Sequence, residues 1–149
     1  EKTSFINISV NELIDRKINW NIKLVENKLK DKTIFVTGAG GSIGSELVFL
    51  INTFSIKKLI LLDHSEFSLY NLKLKINSTQ NNNINKIEYH LGSILDKNLI
   101  EKIFLNNNPD YLFHAAAYKH VTLCEENIIK CIQNNFIATT QLLKTSLKP

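Results

Sequence analysis

Residues 33–47 read TIFVTGAGGSIGSEL, in which a short apolar strand, a glycine-rich turn and the start of an amphipathic helix follow one another. Such a turn needs Gly38 for its tight backbone, Gly41 so that main chain can approach a pyrophosphate, and Gly44 so that the helix can pack on the strand. The N-terminus of the helix would then face the phosphates with free amides and a partial positive charge. This stretch predicts the cofactor turn of a dinucleotide-binding α/β fold.

Short apolar runs and helical periods alternate along the chain from Lys32 onward. The first two runs are apolar throughout, as in strands that are buried on both faces of a sheet. Right-handed crossovers then predict a doubly wound parallel sheet of the Rossmann type, truncated after about four strands, with the strand order 3, 2, 1, 4. The predicted strands are Thr33–Thr37, Leu59–Leu62, Ile87–Leu91 and Tyr111–His114. The predicted helical features are a buried stripe of Ile43, Leu47, Leu50, Ile51 and Phe54, a second stripe of Leu99, Ile100, Ile103 and Phe104 behind an Asp96 N-cap, and a long helix over 128–147.

Residues 1–31 differ from this pattern because they contain few small residues and only isolated amphipathic turns. Ser9 and Glu12 make a capping-box pattern that predicts a helix over 10–16, and a second helix is predicted over 22–29. We therefore expect a helical lead-in arm over 1–31 and a nucleotide-binding domain over 32–149. Because the chain begins at Glu1 and contains no Met, we also expect it to be part of a longer protein.

Asp63 ends the second predicted strand, 19 residues after Gly44. A carboxylate at this point can accept hydrogen bonds from both hydroxyls of an adenosine ribose and would repel a 2′-phosphate, which favours NAD. The neighbouring His64 and nearby lysines leave NADP open. The alternative is that Asp63 only caps the next helix, a role that Ser65 and Glu66 can fill unaided.

The ends of the third and fourth strands supply further candidates. Ser93 and Ile94 come where the sheet edge would meet an adenine, although a simple turn before the Asp96 cap explains them equally well. Three small side chains, Ala115–Ala117, would let backbone lie against a flat ligand.

Lys119 follows these alanines and would bring a point charge to a nicotinamide ribose or a substrate phosphate. Its alternative is a solvated surface lysine. We assign no chemical role to His114 or His120, because a histidine beside an alanine run is more often packed and hydrogen-bonded than catalytic.

Composition narrows the classes of function. Hydrophobic residues make up 44% of the chain and charged residues 21%, as in a globular domain. No apolar run approaches the ~18 residues needed to cross a bilayer. The net charge of +4 comes from scattered lysines without interleaved aromatics, which indicates a solvated surface and no nucleic-acid interface. A weak attraction for anionic nucleotides is the alternative.

The two cysteines, Cys124 and Cys131, are seven residues apart. On a continuous helix their Cα atoms would be roughly 10 Å apart, which is too far for a disulfide. We therefore expect reduced thiols. No Cys/His cluster has the spacing of a metal site, so we predict no bound metal.

Three motifs in order, TGAGGSIGSEL, LLDHSEFSLY and FHAAAYKHV, carry a family resemblance. From about Leu29 to Leu147 the chain resembles the extended short-chain dehydrogenase/reductase superfamily. Within it, the chain is most similar to the nucleotide-sugar 4,6-dehydratases of bacterial polysaccharide and glycan biosynthesis, in the branch acting on UDP-N-acetylglucosamine. The resemblance implies that bound NAD takes hydride from C4 of the sugar, water is eliminated across C5 and C6, and hydride returns to C6. The product would be a 4-keto-6-deoxy sugar nucleotide.

The same resemblance implies a set of ligand-contacting residues. The predicted cofactor-binding residues are Gly38, Gly40, Gly41, Ser42, Ile43 and Gly44 in the turn; Asp63, His64, Ser65, Glu66, Phe67 and Ser68 around the adenosine ribose; Ser93 and Ile94 at the adenine; and Ala115, Ala116, Ala117 and Lys119 near the nicotinamide. Lys119 is also predicted to contact the substrate.

The catalytic residues of the superfamily follow a fifth strand, as a Ser/Thr with Asp and Lys, and then a Tyr- or Met-xxx-Lys helix. Tyr118 and Lys119 are adjacent and lack that spacing. We therefore predict no catalytic residue in this chain and no activity for the chain by itself. The full-length protein is expected to act on a UDP-sugar as a cytoplasmic homo-oligomer, with upstream helices as an anchor at the inner membrane. A 4-epimerase or reductase on the same scaffold, and a non-catalytic dinucleotide sensor, are the alternatives.

Overall fold

The computed structural model describes residues 21–78 and 86–147. In chain order the elements are α1 (Ile22–Leu29), β1 (Thr33–Thr37), α2 (Ser42–Ile51), β2 (Lys58–Asp63), α3 (Glu66–Ser78), β3 (Ile87–Leu91), α4 (Lys97–Asn107), β4 (Tyr111–His114), α5 (Val121–Glu126), α6 (Ile128–Ile132), a π-helical turn (Gln133–Ile137) and α7 (Ala138–Ser146). The helix predicted over 10–16 lies outside the described residues. Within the two described ranges, every helix is too short or too polar to span a bilayer.

The four strands form one parallel sheet in the order β3-β2-β1-β4, which confirms the predicted order. Val36 at the centre of β1 pairs with Leu61 of β2 on one side and Phe113 of β4 on the other. All of β1 is buried, and so is β2 after Lys58, as expected for strands covered on both faces. Because the strands are parallel, their carboxyl ends meet at one edge of the sheet.

Helices cover both faces of this sheet. Alternate residues of β1, such as Ile34 and Val36, pack into a cluster with residues of α2, α3 and Leu29 at the end of α1. Phe35 points to the opposite face, where it packs with residues of α4 and α7 and meets the Phe104 ring edge-on at a centroid distance of 5.7 Å. The predicted Asp96 N-cap of α4 is confirmed, because its side chain accepts a hydrogen bond of 3.0 Å from the Leu99 amide.

The predicted buried stripe of α2 is wrong at two positions. Ile43 is 72% exposed and Leu50 is 38% exposed, whereas Gly44, Val48 and Ile51 are buried. The helix presents this neighbouring face because Gly44, which has no side chain, packs directly on the turn. A prediction from hydrophobic periodicity counts only apolar side chains, so it does not identify a glycine such as Gly44 as part of the buried face.

The long helix predicted over 128–147 begins at Ile128 but contains the π-helical turn, and the separate helix α5 precedes it. Asn127 between them has φ −131° and ψ 46°, so the helical path is broken there. The break brings the Cα atoms of Cys124 and Cys131 to 5.6 Å, and the two residues form a disulfide. The expectation of reduced thiols was therefore wrong, because it assumed a continuous helix through Asn127.

Candidate functional site

A cleft of about 380 Å³ opens at the carboxyl edge of the sheet. This is where open parallel α/β sheets bind ligands. Segments that follow all four strands contribute to its wall. The lining residues are Gly38, Gly41, Leu62, Asp63, His64, Ser65, Ser68, Gly92, Ser93, Ile94, Ala115, Ala116, Ala117, Tyr118 and Asn134.

The glycine turn is packed too tightly for side chains at three of its positions, Gly38, Gly40 and Gly44. Gly38 has φ +65°, and a Cβ added to it would lie 2.6 Å from the backbone nitrogen of Ala116. A Cβ added to Gly44 would overlap the carbonyl oxygen of Gly38. The turn is therefore pressed between α2 and the segment after β4, as glycine at these positions permits.

The first turn of α2 has no side-chain cap. Gly41 is the N-cap residue, and its carbonyl accepts the first helical hydrogen bond, from Ser45, at 2.8 Å. The first amides of a helix have no partner within the helix and carry its partial positive charge. Because Gly41 lines the cleft, this helix end can receive an anionic group. The arrangement fits the pyrophosphate of a dinucleotide.

Asp63 ties the end of β2 to the glycine turn. Its Oδ2 accepts a hydrogen bond of 2.8 Å from the Gly40 amide, and its Oδ1 accepts one of 2.9 Å from the Ser65 amide. His64 Nδ1 lies 3.5 Å from Oδ1. The carboxylate is 5% exposed and lines the cleft, so it both shapes the turn and offers oxygen atoms to a ligand. The hydrogen bond from the Ser65 amide also fits the alternative role of Asp63, which is to cap the helix that follows β2.

The segment after β4 is fixed by the π-helical turn. The Tyr118 amide donates to Asn135 Oδ1 at 2.8 Å, and Asn135 Nδ2 donates to the Tyr118 carbonyl at 2.8 Å. Asn134, which is 8% exposed, lines the cleft and donates from Nδ2 to Asn135 Oδ1 at 3.0 Å. Sequence reasoning missed Tyr118 and Asn134 as lining residues, and adjacent asparagines at one turn of a helix were the signal available.

His114, at the end of β4, is hydrogen-bonded to β1 on one side and to α7 on the other. Thr139 donates its hydroxyl proton to the Asn135 carbonyl, so its oxygen accepts from His114 Nε2, at 3.0 Å. The other ring nitrogen, Nδ1, then accepts from the Thr37 hydroxyl at 2.6 Å. Burial lowers the pKa of His114, in keeping with a neutral ring. His114 is thus a packed, hydrogen-bonded histidine.

Several predicted site residues lie away from the wall of this cleft. Gly40 and Gly44 act within the turn, and Ser42 begins α2. Ile43 faces a separate groove beside β4, and Phe67 is 74% exposed on α3. Glu66 is exposed in the first turn of α3, and Lys119 lines a neighbouring cavity with His120 and the two cysteines.

Two curated proteins show what the chain is similar to. The capsular polysaccharide biosynthesis protein CapD of Staphylococcus aureus is 34% identical over 140 residues, which is 93% of this chain and 23% of CapD. The UDP-N-acetylglucosamine 4,6-dehydratase (inverting) of Campylobacter jejuni is 30% identical over 105 residues, 70% of this chain and 29% of that protein. The chain therefore spans about a quarter of the length of these relatives.

Solved structures agree on the architecture. The UDP-glucose 4-epimerase of Bifidobacterium longum, solved with NAD+ and UDP, superposes with a TM-score of 0.61 at 26% identity. The match covers 76% of this chain and 32% of the epimerase. The fold is thus the Rossmann-like sheet of the short-chain dehydrogenase/reductase superfamily. The family model of the polysaccharide biosynthesis proteins matches residues 34–149, which is most of the sequence, and the chain belongs to that family.

Proposed function

We propose that this chain is the NAD-binding portion of a nucleotide-sugar 4,6-dehydratase that acts in polysaccharide or glycan biosynthesis. The observation that carries the proposal is the uncapped N-terminus of α2, which opens into the cleft beside the Asp63 carboxylate. This pairing offers amides to a pyrophosphate and a carboxylate to a ribose in one site. The similarity to the Campylobacter jejuni dehydratase supports the reaction class.

The proposed contacts follow the placement of the residues. Gly41 and the first turn of α2 would face the pyrophosphate, Asp63 and Ser68 the adenosine ribose, and Ser93 and Ile94 the adenine. Ala115–Ala117 would face the nicotinamide half. When bound, the dinucleotide supplies a hydride acceptor and donor; the residues of this chain hold and orient it. Lys119 would reach the substrate side from the edge of the cleft.

The preference for NAD over NADP rests on Asp63. Hydrogen bonds from the Gly40 and Ser65 amides hold the Asp63 carboxylate at the end of β2. Its negative charge would repel the 2′-phosphate of an NADP whose adenosine ribose is bound there. For the longer protein we propose a UDP-sugar substrate, a homo-oligomeric state and an upstream membrane anchor, as the family resemblance implies.

The direct test is a Gly41→Asp substitution, read by calorimetry with NAD and by thermal unfolding. Gly41 has φ −70° and ψ 169°, which any residue adopts, and an added Cβ would meet only the Gly38 carbonyl, at 3.3 Å. Aspartate is a good N-cap, so the melting temperature should stay the same or rise. The new charge would occupy the pyrophosphate position, and NAD affinity should fall roughly a hundredfold.

Asn98→Asp is the matched control. It makes the same charge change in the first turn of α4, at an exposed residue that does not line the cleft. Its NAD affinity should equal that of the unmodified chain. Equal NAD binding by Gly41→Asp, or no NAD binding by the unmodified chain at millimolar concentration, would overturn the proposed site.

A 4-epimerase is the second candidate, supported by the structural similarity to the Bifidobacterium longum enzyme. Product analysis of the longer protein with UDP-N-acetylglucosamine separates the two. The dehydratase yields a 4-keto-6-deoxy sugar nucleotide, whereas an epimerase yields the C4 epimer with its C6 hydroxyl retained.

A further inference from the structure

A second cavity, of about 430 Å³, adjoins the cofactor cleft and shares Ala117 and Tyr118 with it. Cys124 and Cys131 both line this cavity. Each cysteine is only partly buried, so a small thiol that enters the cavity can reach the disulfide. The remaining wall includes three basic side chains, Lys119, His120 and Lys130.

The disulfide connects α5 to α6 across the break at Asn127. On the α5 side, the Cys124 amide donates to the His120 carbonyl at 3.0 Å, and Cys124 Sγ lies 3.8 Å from the Tyr118 carbonyl oxygen. The bridge therefore ties α6 to the part of α5 whose cysteine lies against the Tyr118 carbonyl. Of residues 117–120, Ala117 and Tyr118 also line the cofactor cleft.

We propose that Cys124 and Cys131 are a reversible redox pair that controls the order of residues 117–120 and thereby the affinity of the cleft for its dinucleotide. The part that concerns affinity rests on the proposed function. Reduction by a dithiol breaks the S–S bond, adds two electrons and two protons to give two thiols, and converts the dithiol to its cyclic disulfide. A small-molecule disulfide reverses the reaction by exchange.

Two features favour reversibility. The two lysines that line the cavity, Lys119 and Lys130, bring positive charge that favours a thiolate, which is the attacking species in thiol–disulfide exchange. The cysteines are seven residues apart, and closing so short a loop constrains the unfolded chain less than closing a long one. Reduction should therefore loosen the segment and leave the domain folded.

Hydrogen–deuterium exchange of the 149-residue chain, equilibrated with oxidised or reduced dithiothreitol, tests the pairing without any ligand. The amides of Tyr118 and Cys124 are suitable probes because each donates a hydrogen bond in the bridged form. Both should exchange about tenfold faster after reduction. The Cys124→Ser/Cys131→Ser double variant should exchange at the reduced rate in both buffers, while amides of β1 should not change in either protein.

Equal exchange in the two buffers, or two alkylatable thiols after equilibration with the oxidised reagent, would overturn the proposal. Calorimetry with NAD then addresses affinity, with several-fold weaker binding expected for the reduced chain. Equal affinity in both states would overturn the affinity part alone. Absence of NAD binding in both states would count against the proposed function, and the exchange result would still decide the redox pair.

Discussion

Asn135 holds the backbone of Tyr118 at both ends: it accepts from the Tyr118 amide and donates to the Tyr118 carbonyl, each at 2.8 Å. The two hydrogen bonds join the π-helical turn to the segment that forms one wall of the cofactor cleft. The position of that wall therefore depends on a side chain 17 residues farther along the chain.

Asn135→Asp should weaken this connection. The carboxylate still accepts from the Tyr118 amide, but its second oxygen faces the Tyr118 carbonyl and cannot donate to it. We expect a loss of about 1 kcal/mol in the free energy of unfolding and weaker NAD binding. Urea denaturation and calorimetry measure the two effects. Asn106→Asp, at an exposed position of α4, makes the same chemical change and should leave NAD binding intact; equal losses in both variants would argue against a specific role for Asn135.

Asp63→Asn tests the double acceptor at the end of β2. A carboxamide has only one acceptor oxygen, so its NH₂ group would face the amide of either Gly40 or Ser65. We expect a loss of about 1–3 kcal/mol in stability and a higher ratio of NADP to NAD affinity, because the charge that repels a 2′-phosphate is removed.

Asp96→Asn is the control for this substitution. Asp96 also precedes a helix, but its cap needs one acceptor, for the Leu99 amide, and asparagine caps helices as well as aspartate does. Its stability should hardly change. If Asp63→Asn were equally mild and kept the NADP to NAD ratio, the carboxylate would have no special role.

The fold was predictable because its signals are local. Uninterrupted apolar runs identified β1 and β2, and the right-handed crossover rule then fixed the strand order. The errors arose where the local backbone departs from a regular helix whose buried face is set by its apolar side chains alone. Gly44 packs on the turn and rotates the buried face of α2, and the break at Asn127 brings Cys124 near Cys131.

The residues of the candidate site were likewise predictable from the sequence only in part. The glycine turn and Asp63 could be proposed from spacing, because both lie within one strand–turn–helix–strand unit. Asn134 could not, because it reaches the cleft only through the π-helical turn, far along the chain from β1. Lys119, predicted near the nicotinamide and the substrate, lines the cavity that adjoins the cleft, and its contact with either ligand stays a prediction.

Protonation of His114 should destabilise the domain. Its Nδ1 accepts from Thr37, and burial lowers its folded-state pKa below the ordinary value of 6.5. The unfolded chain then binds more protons, so this contribution to stability is complete above about pH 6.5 and declines as the pH falls toward the folded-state pKa. Urea denaturation at pH 7.5 and 5.5 should show this decline, and His114→Gln should reduce the difference between the two pH values. An unchanged difference would show that protonation of His114 is not the cause of the decline.

Glu88 governs stability at lower pH. Its Oε1 lies 2.9 Å from Lys58 Nζ and 3.0 Å from Lys86 Nζ, and the hydrogen bond with Lys58 is the main cause of a pKa lowered from 4.5 to about 2. The stabilisation is present above pH 4.5 and is lost as the pH falls toward 2. Because the carboxylate is 27% exposed, solvent screening reduces its contribution, and Glu88→Gln should cost about 1 kcal/mol at pH 7. The variant and the unmodified chain should converge in stability as the pH falls below 2, where Glu88 becomes neutral like the glutamine. A constant gap between them across this range would show that packing, and not charge, accounts for the loss.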